Sequence, residues 1–196
     1  MSMQPKPQVT FEDWLAGERA AIECRSEFIG GEIYAMTGAS AAHNGIVRNI
    51  SGELWTQMKG RPCQVYANDM KVRIRTADAG TYPDLVAFCT EHEFQDGRRD
   101  LLLNPSLIVE VLSDSTEAYD RGGKFALYRQ IPSLREYLLV SQHRVQVDLY
   151  TRGGDNRWTL RDFSALTDSV NLTSVDCTLA LAEVYDKVEL VLVPLV

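Results

Sequence analysis

The sequence lacks long apolar segments and closely spaced cysteines. No apolar run approaches the ~20 residues that a membrane-spanning helix needs, and the N-terminus carries no apolar stretch of the kind found in secretory signals. The four cysteines are far apart and form no C-x-x-C pair, so we expect neither a zinc cluster nor a disulfide framework. These absences predict a cytoplasmic protein without membrane contact, whose cysteines are small buried side chains.

Several catalytic signatures are missing as well. The sequence has no G-x-S-x-G turn, which counts against a serine hydrolase, and no glycine-rich phosphate loop, so nucleotide hydrolysis is not indicated. His92 and His143 show no metal-ligand spacing with one another. The chemistry must therefore be sought in other side chains.

Basic charge is scarce. The chain has 20 Lys and Arg against 27 Asp and Glu, a formal net charge of -7. Non-specific nucleic-acid binders normally carry a basic excess, so that class is disfavoured. A nuclease remains compatible, because a metal-binding carboxylate site is itself acidic and a local basic patch can offset it.

The 196 residues fit one domain with a sizeable core. We expect residues 1–9 to form a flexible N-terminal segment and residues 10–196 to form one domain. Hydrophobic periodicity predicts helices at 11–21, 42–58, 120–130 and 179–187. It predicts a hairpin at 27–36 and strands at 64–67, 70–75, 82–88, 107–112, 136–140, 145–150 and 158–162. The predicted fold class is α/β (α+β), a mixed β-sheet flanked by helices.

The strand at residues 107–112 is the most informative, because the single carboxylate of Glu110 interrupts a run of β-forming apolar residues. Such a run is typical of a strand buried on both faces, where an ionised carboxylate needs compensation. Asp84 lies in another predicted strand. On a helical wheel, Lys124 falls at the centre of the apolar arc of the helix that follows, so it faces the sheet.

Two acids and a lysine that converge on a sheet favour metal-dependent phosphodiester cleavage. Mg²⁺ binds one or two protein carboxylates together with waters and substrate phosphate, which Asp84 and Glu110 could provide. The metal would activate a water, and Lys124 could orient or deprotonate that water or stabilise developing negative charge. The alternative is a buried ion network without chemistry.

Three segments that follow one another along the chain, at 82–84, 104–113 and 120–128, resemble the Uma-type family of restriction endonucleases. This family belongs to the PD-(D/E)XK nuclease superfamily. Shorter matches at 31–36, at His43 and at 131–137 extend the resemblance over residues 11–185. The resemblance implies a restriction-endonuclease-like fold. It also implies hydrolysis of DNA with Mg²⁺ or Mn²⁺.

By this resemblance, Asp84 is the first acid and metal ligand and Glu110 the second. The superfamily expects a lysine two residues later, where this chain has Leu112, so Lys124 would supply the ammonium group from the following helix. His43 is either a satisfied core histidine or a site residue, since the resemblance places a histidine there. Glu32 and Glu53 are further candidates for a carboxylate near the metal.

Lys71, Arg73 and Arg75 alternate along one predicted strand and project from the same face. They could contact DNA phosphates, or they could form an ordinary solvated strand face.

The leading hypothesis is a Mg²⁺- or Mn²⁺-dependent endonuclease that cuts DNA. The main alternative is a catalytically silent, nuclease-derived protein that binds nucleic acid or acts as a regulator. A hydrolase of small phosphoesters is the third hypothesis, which a closed pocket around Glu110 would favour. Symmetric cutting of both strands of a duplex would favour a two-fold homodimer.

Overall fold

The computed structural model describes residues 9–22 and 24–190. The predicted flexible segment lies outside the described residues except for Val9. The helices are α1 (Phe11–Ala20), α2 (Ala41–Met58), α3 (Glu117–Tyr119), α4 (Phe125–Tyr128) and α5 (Leu181–Val184), with a π-helical turn at Asp120–Lys124 between α3 and α4. A 3-10 turn occupies Arg75–Ala77.

The strands form three sheets. They are β1 (Ser26–Ile29), β2 (Glu32–Ala35), β3 (Gln64–Ala67), β4 (Lys71–Ile74), β5 (Ala79–Thr81), β6 (Leu85–Phe88), β7 (Leu101–Leu102), β8 (Leu107–Leu112), β9 (Glu136–Ser141), β10 (Val147–Arg152), β11 (Trp158–Phe163), β12 (Ser169–Leu172) and β13 (Cys177–Ala180). A six-stranded sheet has the order β11-β10-β9-β8-β6-β3, a five-stranded sheet the order β2-β1-β5-β4-β7, and β12 pairs with β13. Within the six-stranded sheet, β8 and β9 are parallel and β6 and β8 antiparallel.

The six-stranded sheet has apolar layers on both faces, and β8 contributes to each. Its residues Leu107, Val109 and Val111 pack in the same cluster as the apolar face of α2, while Ile108 and Leu112 pack with the residues around α4. All six residues of β8 are buried. Since side chains alternate along a strand, Glu110 shares the face of Ile108 and Leu112, which is the face toward α4.

Local signals place the first helices as predicted. At the start of α1, the Thr10 side chain accepts a hydrogen bond from the Asp13 amide and the Asp13 carboxylate accepts one from the Thr10 amide, a complete capping box. Ser40 caps α2 by accepting a hydrogen bond from the His43 amide. The turn of the hairpin lies at Gly30 and Gly31, which both have positive φ. Glycine occupies these positions because it adopts that conformation without strain.

Two predictions about the fold are wrong. The helix expected at 179–187 is instead strand β13 followed by the single turn α5. Leu179 pairs with Val170 of β12 and both are buried, so a partner strand overrides the local helical pattern.

A disulfide also joins Cys63 to Cys89, although none was expected. The β3–β6 register pairs Gln64 with Phe88 and thereby brings the flanking cysteines together. The thiol of Cys177 is buried as predicted, whereas that of Cys24 is exposed. Among the described helices, none is long and apolar enough to cross a membrane.

Candidate active site

A cleft of about 1280 Å³ opens where β6 and β8 meet the β1–β2 hairpin, the start of α2 and the α3–α4 segment. Six ionisable side chains of its lining make contacts with one another. They are Glu27, His43, Asp84, Glu110, Asp120 and Lys124.

Glu110 and Lys124 form the buried centre of the cleft. The Lys124 ammonium donates a hydrogen bond of 3.1 Å to Oε1 of Glu110, and the Tyr128 hydroxyl donates a second one of 2.8 Å to the same oxygen. Glu110 is 3 % and Lys124 8 % exposed. The prediction that Lys124 faces the sheet and meets Glu110 is therefore confirmed, and Tyr128 supports the carboxylate rather than the lysine.

Two further carboxylates surround the same ammonium group. Oε1 of Glu27 lies 3.4 Å and Oδ1 of Asp120 lies 3.5 Å from Nζ of Lys124. The Tyr82 amide donates a hydrogen bond to Glu27. That side chain is thereby fixed by the residue that follows β5, the strand next to β1 in the same sheet. We call Glu27, Glu110, Asp120 and Lys124 the cleft floor.

The sequence analysis missed Glu27 and Asp120. Asp120 lies four residues before Lys124, a spacing that places two helical side chains on one face, so a signal for it was present. Glu27 has no comparable local signal, because its contacts to Tyr82 and Lys124 depend on the docking of the hairpin. Glu32 of the same hairpin, the predicted candidate, is exposed, lies outside the cleft lining and accepts a hydrogen bond from Tyr34. Glu53 lies on α2, likewise outside the cleft lining.

The π-helical turn brings Asp120 and Lys124 into the floor together. A single wide turn of this kind inside a helix is frequent at functional sites. Gly123 allows the ring of Tyr119 to pack over this turn, since a Cβ at that position would lie 2.4 Å from the ring.

Asp84 occupies the side of the cleft, just before β6. Its Oδ2 accepts a hydrogen bond of 2.7 Å from the Val111 amide of β8 and lies 3.1 Å from Nε2 of His43. Among the described residues, Nδ1 of His43 is buried and has no hydrogen-bond partner. The structure therefore links the predicted residues as two pairs: Asp84 with His43 of α2, and Glu110 of β8 with Lys124 of the π-helical turn. The strand predicted at 82–88 begins only at Leu85, so Asp84 lies just ahead of it.

Burial and charge shift the protonation of the floor in definite directions. Burial raises the pKa of Glu110 well above its ordinary value, and Lys124 only partly offsets this while the neighbouring acids add to it. Burial alone would lower the pKa of Lys124, but Glu110, Glu27 and Asp120 outweigh it and the pKa stands above the ordinary value. Lys124 is therefore a persistent ammonium group.

The arrangement fits a hard divalent cation. The contacts described above use Oδ2 of Asp84 and Oε1 of Glu110, and leave the second oxygen of each carboxylate to other ligands. Oδ1 of Asp120 lies 3.5 Å from Nζ of Lys124 and accepts no hydrogen bond from the described residues. In residues 9–22 and 24–190, no group of three or more His, Cys, Asp and Glu side chains is arranged to hold a metal ion by itself. Mg²⁺ accepts such a partial donor set, because it retains waters and binds substrate phosphate.

The predicted basic patch is largely occupied by internal contacts. Lys71 is 7 % exposed and pairs with Asp100, and Arg73 pairs with Asp78. Arg75 lies beyond β4, in the 3-10 turn. None of the three basic residues lines the cleft, and a role in DNA contact stays a prediction.

Comparison with known proteins agrees with this architecture. Residues 10–182 match the Uma2 family, described as "Putative restriction endonuclease". An uncharacterised protein of Synechocystis sp. is 39 % identical over 79 % of this chain and 86 % of its own length, and another is 36 % identical over 92 % and 93 %. A crystal structure from Anabaena variabilis, described as a "putative nuclease", superposes with a TM-score of 0.73 at 15 % identity, covering 90 % of this chain and 97 % of that one.

Proposed function

Because the chain belongs to the Uma2 family, we propose that it is a metal-dependent endonuclease that hydrolyses DNA phosphodiester bonds, with Mg²⁺ or Mn²⁺ as its cofactor. The observation that carries this proposal is the pair of carboxylates, Asp84 and Glu110, beside a persistent ammonium group in one cleft. Each carboxylate is held through one oxygen, which leaves the other for a ligand.

In this proposal, Asp84 and Glu110 hold the metal. When bound, the metal supplies a polarised phosphoryl oxygen and a water of lowered pKa, the attacking nucleophile. His43 and the Val111 amide fix the orientation of Asp84, and Tyr128 fixes Glu110. These contacts limit the reorganisation needed when substrate arrives.

The role of Lys124 follows from its charge. Its raised pKa makes it a poor proton acceptor near neutral pH, so of the roles considered from the sequence, deprotonation of the water is disfavoured. A fixed positive charge beside the reacting phosphate stabilises the negative charge that develops on its oxygens. We assign Lys124 this electrostatic role.

The size of the cleft bears on the competing hydrolase hypothesis. Pockets for small ligands are about 300–1,000 Å³, and this cleft of about 1280 Å³ exceeds that range. The volume favours a polymeric substrate over a small phosphoester.

Cleavage of supercoiled plasmid tests the proposed function. The wild type should nick plasmid with Mg²⁺ or Mn²⁺ and stop when EDTA is added, and Glu110→Gln should abolish nicking because a metal ligand is lost. Glu12→Gln is the matched control, since it removes an exposed carboxylate of α1 outside the cleft, and it should cut like the wild type. Absence of cleavage with both metals, or full activity of Glu110→Gln, would favour the catalytically silent alternative.

A further inference from the structure

Two exposed tyrosines stand at the rim of the cleft. Tyr34 of β2 is 48 % exposed and Tyr119 of α3 is 37 % exposed, and both belong to the cleft lining. Met36, 39 % exposed, lines the same rim. The rim therefore presents two aromatic rings from two separate elements, β2 and α3, of one opening.

Each ring is held in place by its own element. The Tyr34 hydroxyl donates a hydrogen bond of 2.5 Å to Glu32, on the same strand. Tyr119 packs against the backbone of Gly123, where a Cβ would lie 2.4 Å from the ring. Rings restrained in this way lose little conformational entropy when a flat ligand stacks on them.

The charge of the cleft disfavours a duplex as the ligand. Its lining contains more acids than cations, and both cations are already paired. Arg25 lies 2.5 Å from Asp69, and Lys124 is surrounded by the carboxylates of the floor. Duplex DNA is bound chiefly through phosphate contacts to Lys and Arg, which this lining does not supply.

Aromatic stacking provides affinity without basic charge. Proteins that bind single strands stack successive bases on aromatic side chains, and this is possible only when the bases are unpaired. The lining of this cleft contains both these aromatic rings and the carboxylates that would hold the metal, so a strand stacked there would lie in the same cleft as the floor.

From these observations we propose that Tyr34 and Tyr119 form a binding site for an unpaired nucleobase, and that the substrate of this cleft is single-stranded DNA. The inference rests on the proposed nuclease function of the same cleft and names its substrate class. Met36 extends the apolar rim beside Tyr34.

Binding of a labelled oligo-dT strand, compared with the matching dA·dT duplex in EDTA, tests the proposal without cleavage. The single strand should bind more tightly than the duplex. Tyr34→Ala and Tyr119→Ala should each weaken its binding about tenfold, whereas Tyr34→Phe and Tyr119→Phe should retain it, because stacking needs the ring alone. A plot of the logarithm of the association constant against the logarithm of the salt concentration should have a slope of about -0.7 to -1.4, the value for one or two phosphates.

Trp55→Ala is the matched control, because Trp55 is 52 % exposed on α2 and lies outside the cleft lining. This variant should bind the single strand as tightly as the wild type does.

Equal affinity for strand and duplex would overturn the proposal, and so would an equal loss of binding in the Phe and Ala variants of the two tyrosines. A shift from dimer to monomer in Tyr34→Ala, with DNA binding unchanged, would instead make the rim an interface between two copies. Plasmid cleavage without single-strand preference would overturn only this inference, whereas tyrosine-dependent binding without cleavage would overturn only the nuclease function.

Discussion

Two ionic clusters of this molecule differ in how their charges are matched. In the cleft floor, three carboxylates surround the single ammonium group of Lys124 at 3.1 to 3.5 Å. In a second cluster, which we call the β4 corner, Lys71 and Arg19 share Asp100, and Arg73 pairs with Asp78. Arg19 also pairs with Asp96 at 2.9 Å. The β4 corner therefore sets three cations against three carboxylates, and its members are Arg19, Lys71, Arg73, Asp78, Asp96 and Asp100.

The difference separates structural from functional charge. Charges that match one another, as in the β4 corner, offset their desolvation and can fix neighbouring elements. In the floor, three carboxyl groups face one ammonium group, and burial raises the pKa of both Glu110 and Asp120 because it disfavours their ionised forms. A bound cation would favour the ionised carboxylates, so this mismatch suits a ligand-binding site. We therefore expect substitutions in the floor to affect cleavage and substitutions in the corner to affect stability.

The largest expected effect is that of Lys124→Ala. Loss of the ammonium group should lower single-turnover cleavage by about 10²–10³-fold, as removal of a charge-stabilising group does in other enzymes. Lys59→Ala, at the exposed end of α2, is the matched lysine control and should cut at the wild-type rate. A Lys124→Ala enzyme that cuts within a few-fold of wild type would remove Lys124 from the mechanism.

Asp100→Asn should break the β4 corner instead. It weakens the pairing of both Arg19 and the buried Lys71, so the free energy of unfolding should fall by about 2 kcal/mol in urea titration. Asp155→Asn, which removes one partner of an exposed ion pair, should change it by less than about 0.5 kcal/mol. Cleavage per folded molecule should be unchanged in Asp100→Asn, and a large loss would contradict the division between the clusters.

His43→Asn should act on the metal through Asp84. Without the imidazole at 3.1 Å, the Asp84 carboxylate is less firmly oriented, and Mn²⁺ affinity measured by calorimetry should weaken about tenfold. His92→Asn replaces a histidine outside the cleft lining and should bind Mn²⁺ like the wild type. Unchanged affinity in His43→Asn would make His43 a core residue only.

The smallest effect concerns acid stability. The hydrogen bonds from Arg19, followed by the attraction of Lys71, lower the pKa of Asp100 from 3.8 to about 2 despite partial burial. A carboxyl whose folded pKa is lowered stabilises the fold above its unfolded pKa, and this contribution is lost as the pH falls from 3.8 toward about 2. The stability difference between wild type and Asp100→Asn should therefore shrink over this interval. A constant difference would show that Asp100 acts through packing.

The sequence predicted the elements whose signals are local. Glu110 was placed correctly because the apolar residues on either side of it mark β8. The helical wheel correctly placed Lys124 on the side of its helix that faces the sheet. The same reasoning failed at Leu179, because local periodicity does not report its pairing with Val170, nine residues upstream in β12.

Contacts between distant segments account for the remaining omissions. Glu27 enters the floor only because the hairpin docks on the backbone of Tyr82, and no pattern near Glu27 reports that docking. The Cys63–Cys89 disulfide depends on the register of β3 against β6. Arg75 is exposed whereas Lys71, on the same predicted strand, is buried, because β4 ends at Ile74.

The position of Lys124 on a helical turn rather than on β8 affects how relatives of this protein can be recognised. Leu112 occupies the position where the superfamily motif expects lysine. It is 2 % exposed and completes an apolar layer, so the strand gains a packing residue. The charge comes instead from Lys124, fourteen positions after Glu110. A search for lysine at a fixed interval after the second acid would pass over such chains. Homologues of this kind are found by asking which residue enters the cavity, whatever its place in the sequence.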